Sequence, residues 1–95
     1  MMEDVSLEEL EQCLEAISRS PKGAPDIRRP PGEVYGHTDS DGRYIYINFV
    51  KPSEVPIGSI YRTWVVRFES GKPERILHFR SRRGDAGDDT LPPDE

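Results

Sequence analysis

His37 and His78 are the only two histidines of the chain, and with Tyr46, Tyr61, Arg67 and Arg80 they are the residues best suited to chemistry. A histidine pair can pass a proton into and out of a transition state near neutral pH, and arginines can hold the charge that develops on a phosphate. Side-chain alternation along the expected strands places all six on one sheet face, the constellation that metal-free RNA cleavage needs. The same face also reads as a recognition surface. All four tyrosines, Tyr35, Tyr44, Tyr46 and Tyr61, fall on it beside Arg67 and Arg80, and tyrosine with arginine is the enrichment found at protein interfaces. The candidate binding set is therefore Tyr35, His37, Tyr44, Tyr46, Tyr61, Arg67, His78 and Arg80.

Other chemistries find no residues to carry them. Cys13 is alone, so no intramolecular disulfide and no Cys₂His₂ or Cys₄ zinc site can form, and it reads as a small hydrophobe rather than a nucleophile. Asp39-Ser40-Asp41-Gly42 invites a calcium-loop reading. Aligning Gly42 with the loop glycine puts His37 at the first ligand position and Asn48 where a bidentate glutamate belongs, so turn chemistry is the expectation. Dinucleotide, Walker, zinc-protease and nucleophile-elbow motifs are all missing from the sequence. Arg83-Gly84-Asp85 matches an integrin-binding tripeptide, but a chain without disulfides gives that match no extracellular context. No cofactor and no metal are expected.

The elements that must position these residues begin with a capping box, Ser6-Leu7-Glu8-Glu9, in which the serine hydroxyl and the glutamate carboxylate each satisfy the other's backbone amide. Leu7, Leu10, Leu14 and Ile17 then recur at helical spacing, with Cys13 at the stripe's edge and Glu8, Glu11 and Glu15 opposite. Residues 1–19 form the helical unit, ended by Pro21. Residues 20–32 hold four prolines and two glycines and form a connector. Arg28-Arg29-Pro30-Pro31 could offer a short polyproline ligand, but the connector has no PxxP repeat.

Residues 33–80 read as four strands. Two alternating segments flank Asp41-Gly42, a strong hairpin signal. Residues 59–69, with the only tryptophan and a dense set of β-branched and aromatic residues, form the central strand. A turn at Ser70-Gly71-Lys72-Pro73 leads to the fourth strand. An even-length turn sets Ile60, Trp64, Val66, Phe68, Leu77 and Phe79 on one face with Ile45, Ile47 and Phe49. Ile76, His78 and Arg80 then join the tyrosines on the other, and Val55 and Ile57 tuck under the sheet edge. Residues 81–95 hold five acids and two prolines without periodicity, the profile of a disordered acidic tail. The expected fold is α+β, one N-terminal helix packed on a four-stranded antiparallel, meander-like sheet in a single domain.

Composition narrows the function further. Ninety-five residues bury one core and no deep catalytic cleft. The net charge of −5 divides unevenly: residues 1–20 sum to −5, residues 21–80 to +3 and residues 81–95 to −3. An acidic helix and tail thus bracket a mildly basic body. No apolar run reaches the ~18 residues of a membrane span, and the acidic start Met1-Met2-Glu3-Asp4 is unlike a signal peptide. With one cysteine, a cytoplasmic protein that binds no membrane is expected.

Three functions remain. The first is a protein-interaction or inhibitor module, an adaptor binding a protein partner or a second copy of itself through the Tyr/Arg face. Its size and acidity resemble small inhibitors carried by phage or mobile elements, a resemblance of profile that implies a macromolecular target. The second is single-stranded nucleic-acid binding, with tyrosines stacking bases, although no RNP-type run occurs. The third is a ribonuclease. The segment Gly36-His37-Thr38-Asp39-Ser40-Asp41-Gly42-Arg43, with strands ending in Arg80-Ser81-Arg82-Arg83, resembles ribonuclease toxins of toxin–antitoxin pairs over under half of the chain and without a specific motif. Binding rather than catalysis is the expectation.

Overall fold

A computed structural model describes residues 3–21 and 26–92. Helix α1 (Leu7–Ser18) is followed by strands β1 (Glu33–Asp39), β2 (Gly42–Asn48), β3 (Ile60–Glu69), β4 (Lys72–Arg82) and β5 (Asp89–Thr90). The strands make one curled antiparallel sheet in the order β1-β2-β3-β4-β5, a meander, with α1 packed on one face. The α+β class is as expected, with one strand more.

The capping box forms as read: Glu9 N donates to Ser6 Oγ and Ser6 N to Glu9 Oε1, each at 3.1 Å. The buried line of α1 differs. Cys13 and Ile17 are fully buried, Leu10 and Leu14 are half-buried, and Leu7 is 71% exposed. At ~100° per residue Leu7 points about 120° away from Cys13, so Cys13 is the centre of the stripe and Leu7 lies outside it. Against this line sit Ile45, Ile47, Trp64 and Val66, all fully buried, with Phe49 and Phe68 at their edge. Burial of each such side chain contributes about 1.5–3 kcal/mol.

The fourth strand has the opposite facing from the one expected. Ser70 and Gly71 take φ of 54° and 78°, closing a two-residue turn in which Glu69 pairs with Lys72 and Phe68 with Pro73. Arg67 then pairs with Arg75, and Glu74 is left as an extra residue. This β-bulge shifts the remaining strand by one position. Pro73 has no N–H to give to the ladder, which favours a break in pairing at this point. Ile76, His78 and Arg80 consequently share the helix-side face with Trp64 and Val66, while Leu77 and Phe79 leave the core row and join the tyrosines.

The segment 81–95 also departs from expectation. Ser81 and Arg82 complete β4, and β5 folds back on them, Thr90 beside Ser81 and Asp89 beside Arg82, with Leu91 N donating to Arg80 O at 2.8 Å. Pro92 follows and cannot extend the ladder. Residues 93–95 lie outside the described residues, as do 22–25 of the connector. The connector contributes a 3₁₀ turn, Asp26–Arg28, whose Ile27 packs against the core. In the β2–β3 connection Val55 is buried as expected, but Ile57 is 62% exposed.

Arg43 fastens helix to sheet. Its guanidinium donates to Glu9 Oε2 (2.7 Å), Glu3 Oε1 (2.9 Å), Thr38 Oγ1 (2.9 Å) and the Asp4 carbonyl (2.8 Å). It lies over Gly36, where a Cβ would stand 2.8 Å from Nη2. Gly36 also exchanges two 2.8 Å backbone hydrogen bonds with Glu3, covering the outer edge of β1. A glycine in mid-strand marks this close approach.

Candidate functional site

The sheet face away from α1 is a grid fixed by strand register. Its middle row is Tyr35, Tyr46, Val65 and Leu77, one residue from each of β1 to β4. On one side lies the row His37, Tyr44, Arg67 and Arg75, and on the other Glu33, Asn48, Thr63 and Phe79. Tyr61 and Ser81 stand beyond the second flanking row.

Each row has its own chemistry. Tyr35 and Tyr46 stack with ring centroids 4.9 Å apart and planes 6° from parallel, beside buried Val65 and half-exposed Leu77. In the first flanking row Arg67 pairs with Glu74 at 3.0 Å and donates to the Asp41 carbonyl at 2.5 Å. His37 Nε2 lies 3.2 Å from Asp39 Oδ2. In the second, Thr63 Oγ1 donates to Asn48 Oδ1 (2.6 Å), and Asn48 Nδ2 donates to Glu33 Oε1 (3.1 Å). Asn48 and Thr63 are 3% and 4% exposed, so these bonds satisfy groups that would otherwise be costly to bury.

The tyrosine hydroxyls respond to this setting. Burial pushes the Tyr35 phenol above its ordinary value, with the charge of Glu33 adding to it. Burial also raises Tyr61, which donates to Asp88, and that bond lowers the Asp88 carboxyl. Both phenols are therefore neutral hydrogen-bonding groups at neutral pH.

Of the eight candidate residues, the fold assembles Tyr35, His37, Tyr44, Tyr46, Tyr61 and Arg67 on this face. His78 and Arg80 are not among them. The bulge at Glu74 turns both to the helix side, where the His78 ring lies 4.9 Å from the Trp64 ring at 48° and Arg80 Nη2 donates to the Pro92 carbonyl. His37 and His78 are on opposite faces, so the proposed proton-shuttling pair does not come together. Sequence reasoning missed Leu77, Phe79 and Arg75 as members of the face. The signal that could have found them was Pro73, two residues after a Ser-Gly turn and inside a strand.

Elsewhere the motifs resolve into structure. Arg83 donates to the carbonyls of Pro52, Ser53 and Val55 at 2.6–3.0 Å, so the arginine of the Arg-Gly-Asp tripeptide is occupied in holding the β2–β3 connection. Burial raises the Cys13 thiol to about 12, which makes it unreactive at neutral pH. Grooves of about 620 and 590 Å³ lie along α1, one lined by Gln12, Glu15, Arg19 and Ile76, the other by Glu8, Glu9 and the hairpin tips. Among the described residues no group of three or more His, Cys, Asp or Glu side chains is placed to hold a metal, and no helix is long and apolar enough to cross a membrane.

Comparison with protein-family models, with curated proteins and with solved structures finds no match to this chain.

Proposed function

We propose that this protein is a small interaction module, an adaptor or inhibitor working in the cytoplasm, that binds a protein partner through the outer face of its sheet. The observation that carries the reading is the row Tyr35, Tyr46, Val65 and Leu77. It joins a stacked tyrosine pair to an aliphatic end that is 47% exposed, on the face that α1 leaves uncovered. Stacked tyrosines offer large contact area with little rotamer freedom to lose, and tyrosine and arginine dominate interface hot spots. The buried Asn48 and Thr63 bonds fix the row beside these rings, which lowers the ordering cost of binding. Arg67 is held by Glu74 and the Asp41 carbonyl, a specificity element more than a free phosphate-binding cation.

The test is capture of partners from source-cell lysate by the wild-type chain and by Leu77→Glu, each with and without nuclease. Leu77→Glu places a charge at the exposed end of the row and should change stability by under about 0.5 kcal/mol. The reading expects a stoichiometric protein, retained after nuclease and lost with Leu77→Glu. An identical bound set on both columns would exclude this face as the binding surface.

A further inference from the structure

Arg75 and Glu33 stand at diagonally opposite corners of the grid on the outer face, carry opposite signs, and make no ion pair with any other described residue. Arg75 stands directly across β3–β4 from Arg67, a like-charge pairing that destabilises a sheet unless each cation finds an anion. Arg67 finds Glu74 at 3.0 Å and Glu69 at 3.7 Å. Arg75 is exposed and makes no ion pair with any described residue. At the diagonally opposite corner Glu33 accepts from Asn48 and meets no cation among the described residues. The two corners are three strand spacings (~14 Å) apart across the sheet and four residues (~14 Å) apart along it.

We propose that a second copy of this chain is the partner on this face, in an isologous dimer in which Arg75 of each copy pairs with Glu33 of the other. The proposal rests on the reading of this face as an interaction surface and adds the identity of what covers it. A two-fold axis lying in the contact plane, perpendicular to the Arg75–Glu33 diagonal, makes both pairs at once, as an isologous interface requires. The diagonal runs at roughly 45° to the strands, so the two sheets cross at about 90°, one of the two stable ways for sheets to pack. The middle row then packs near its own counterpart, with Tyr46 and Val65 at the centre, and Phe79 of each copy meets at one end of the axis. The footprint is small beside the ~800 Å² per side of a standard interface, so association in the micromolar range is expected.

Sedimentation equilibrium of the full chain over a range of about 1 µM to about 1 mM tests the proposal. The wild type should pass from 10.8 kDa towards twice that mass. Arg75→Glu and Glu33→Arg each put like charges in register at both pairs, and each alone should weaken association at least ~10-fold. Mixed in equal amounts, the two variants restore both pairs and should form a heterodimer as strong as the wild-type dimer. Glu33→Arg also removes the bond to Asn48, so a thermal melt of each variant accompanies the measurement. Should Glu33→Arg fail to fold, Glu33→Gln mixed with Arg75→Glu replaces it: the mixed dimer keeps one Arg75–Glu33 pair and loses the like-charge contact at the other, so association should recover in part above that of Arg75→Glu alone. A wild type that stays at monomer mass throughout, or reversals that leave the dimer intact, or folded reversal variants that do not recover on mixing, would overturn the proposal. Partner capture that still depends on Leu77 would then leave the broader reading standing, whereas capture independent of Leu77 would remove both.

Discussion

At the scale of single residues, Arg43 and Gly36 act as one unit. A Cβ at position 36 would meet the guanidinium at 2.8 Å. That end of the arginine is held by Glu9, Glu3, Thr38 and the Asp4 carbonyl, so it cannot swing aside without losing bonds. Gly36→Ala should therefore cost about 1–3 kcal/mol, the range for overpacking. The same change in an Arg43→Ala background should cost clearly less, because the clash is gone. Urea denaturation of the four members of this cycle measures the difference, and simple additivity would mean the two residues do not interact. Arg43 also sets an acid limit. The bond from Arg43 lowers the Glu9 carboxyl, and the bond from Thr38 and then Arg43 lowers Glu3, both from an ordinary 4.5. A carboxyl lowered by folding binds protons more readily when unfolded, so its contribution is full above about 4.5 and is lost as pH falls below it. Denaturation midpoints should drop between pH 5 and pH 3 in the wild type, and the drop should be shallower in Arg43→Ala.

At the scale of elements, one residue decides which side of β4 faces the helix. Glu74 is the extra residue of the bulge, and its deletion leaves Arg67 opposite Arg75 and Val66 opposite Ile76. A chain lacking Glu74 should keep its fold, losing the Arg67–Glu74 pair, a partly exposed contact worth ~0–1 kcal/mol. Deleting Leu77 instead moves every later residue of β4 to the opposite face and should abolish cooperative unfolding. Near-ultraviolet circular dichroism of buried Trp64 reports both outcomes. If both deletions were tolerated alike, the bulge would not be what sets the facing. The same logic accounts for β5, which ends where Pro92 withholds an N–H.

For the whole molecule, the division of charge seen along the chain takes on a spatial meaning. The acidic start does not stand apart from the basic body: Glu3 and Glu9 are bound to Arg43 across β1 and β2. The acids after residue 81 are likewise partly folded in, Asp88 against Tyr61 and Asp89 in β5. What the fold leaves uncovered is a face with oppositely charged corners, Arg75 and Glu33, on either side of the row Tyr35, Tyr46, Val65 and Leu77. An interface built on that row draws most of its energy from area and little from charge, so its affinity should fall by only a few-fold between about 50 and 200 mM salt. Single-stranded nucleic acid, by contrast, would be released steeply over the same range.

The helix with its cap, the two hairpins, the central strand at Trp64 and the gathering of all four tyrosines on one face were determined by the sequence alone. Each depends on periodicity or turn chemistry within a few residues, and such local signals survive without tertiary context. The facing of β4 was decided only by the tertiary structure. A bulge is a property of two paired strands, and one inserted residue reverses every side chain beyond it, which removed His78 and Arg80 from the candidate site and brought in Leu77, Phe79 and Arg75. The Arg43 cluster was hidden because Glu3 lies 40 residues from Arg43 and meets it only when the sheet closes on the helix, and the return of residues 89–90 onto 81–82 was hidden because it needs β4 already formed as a template.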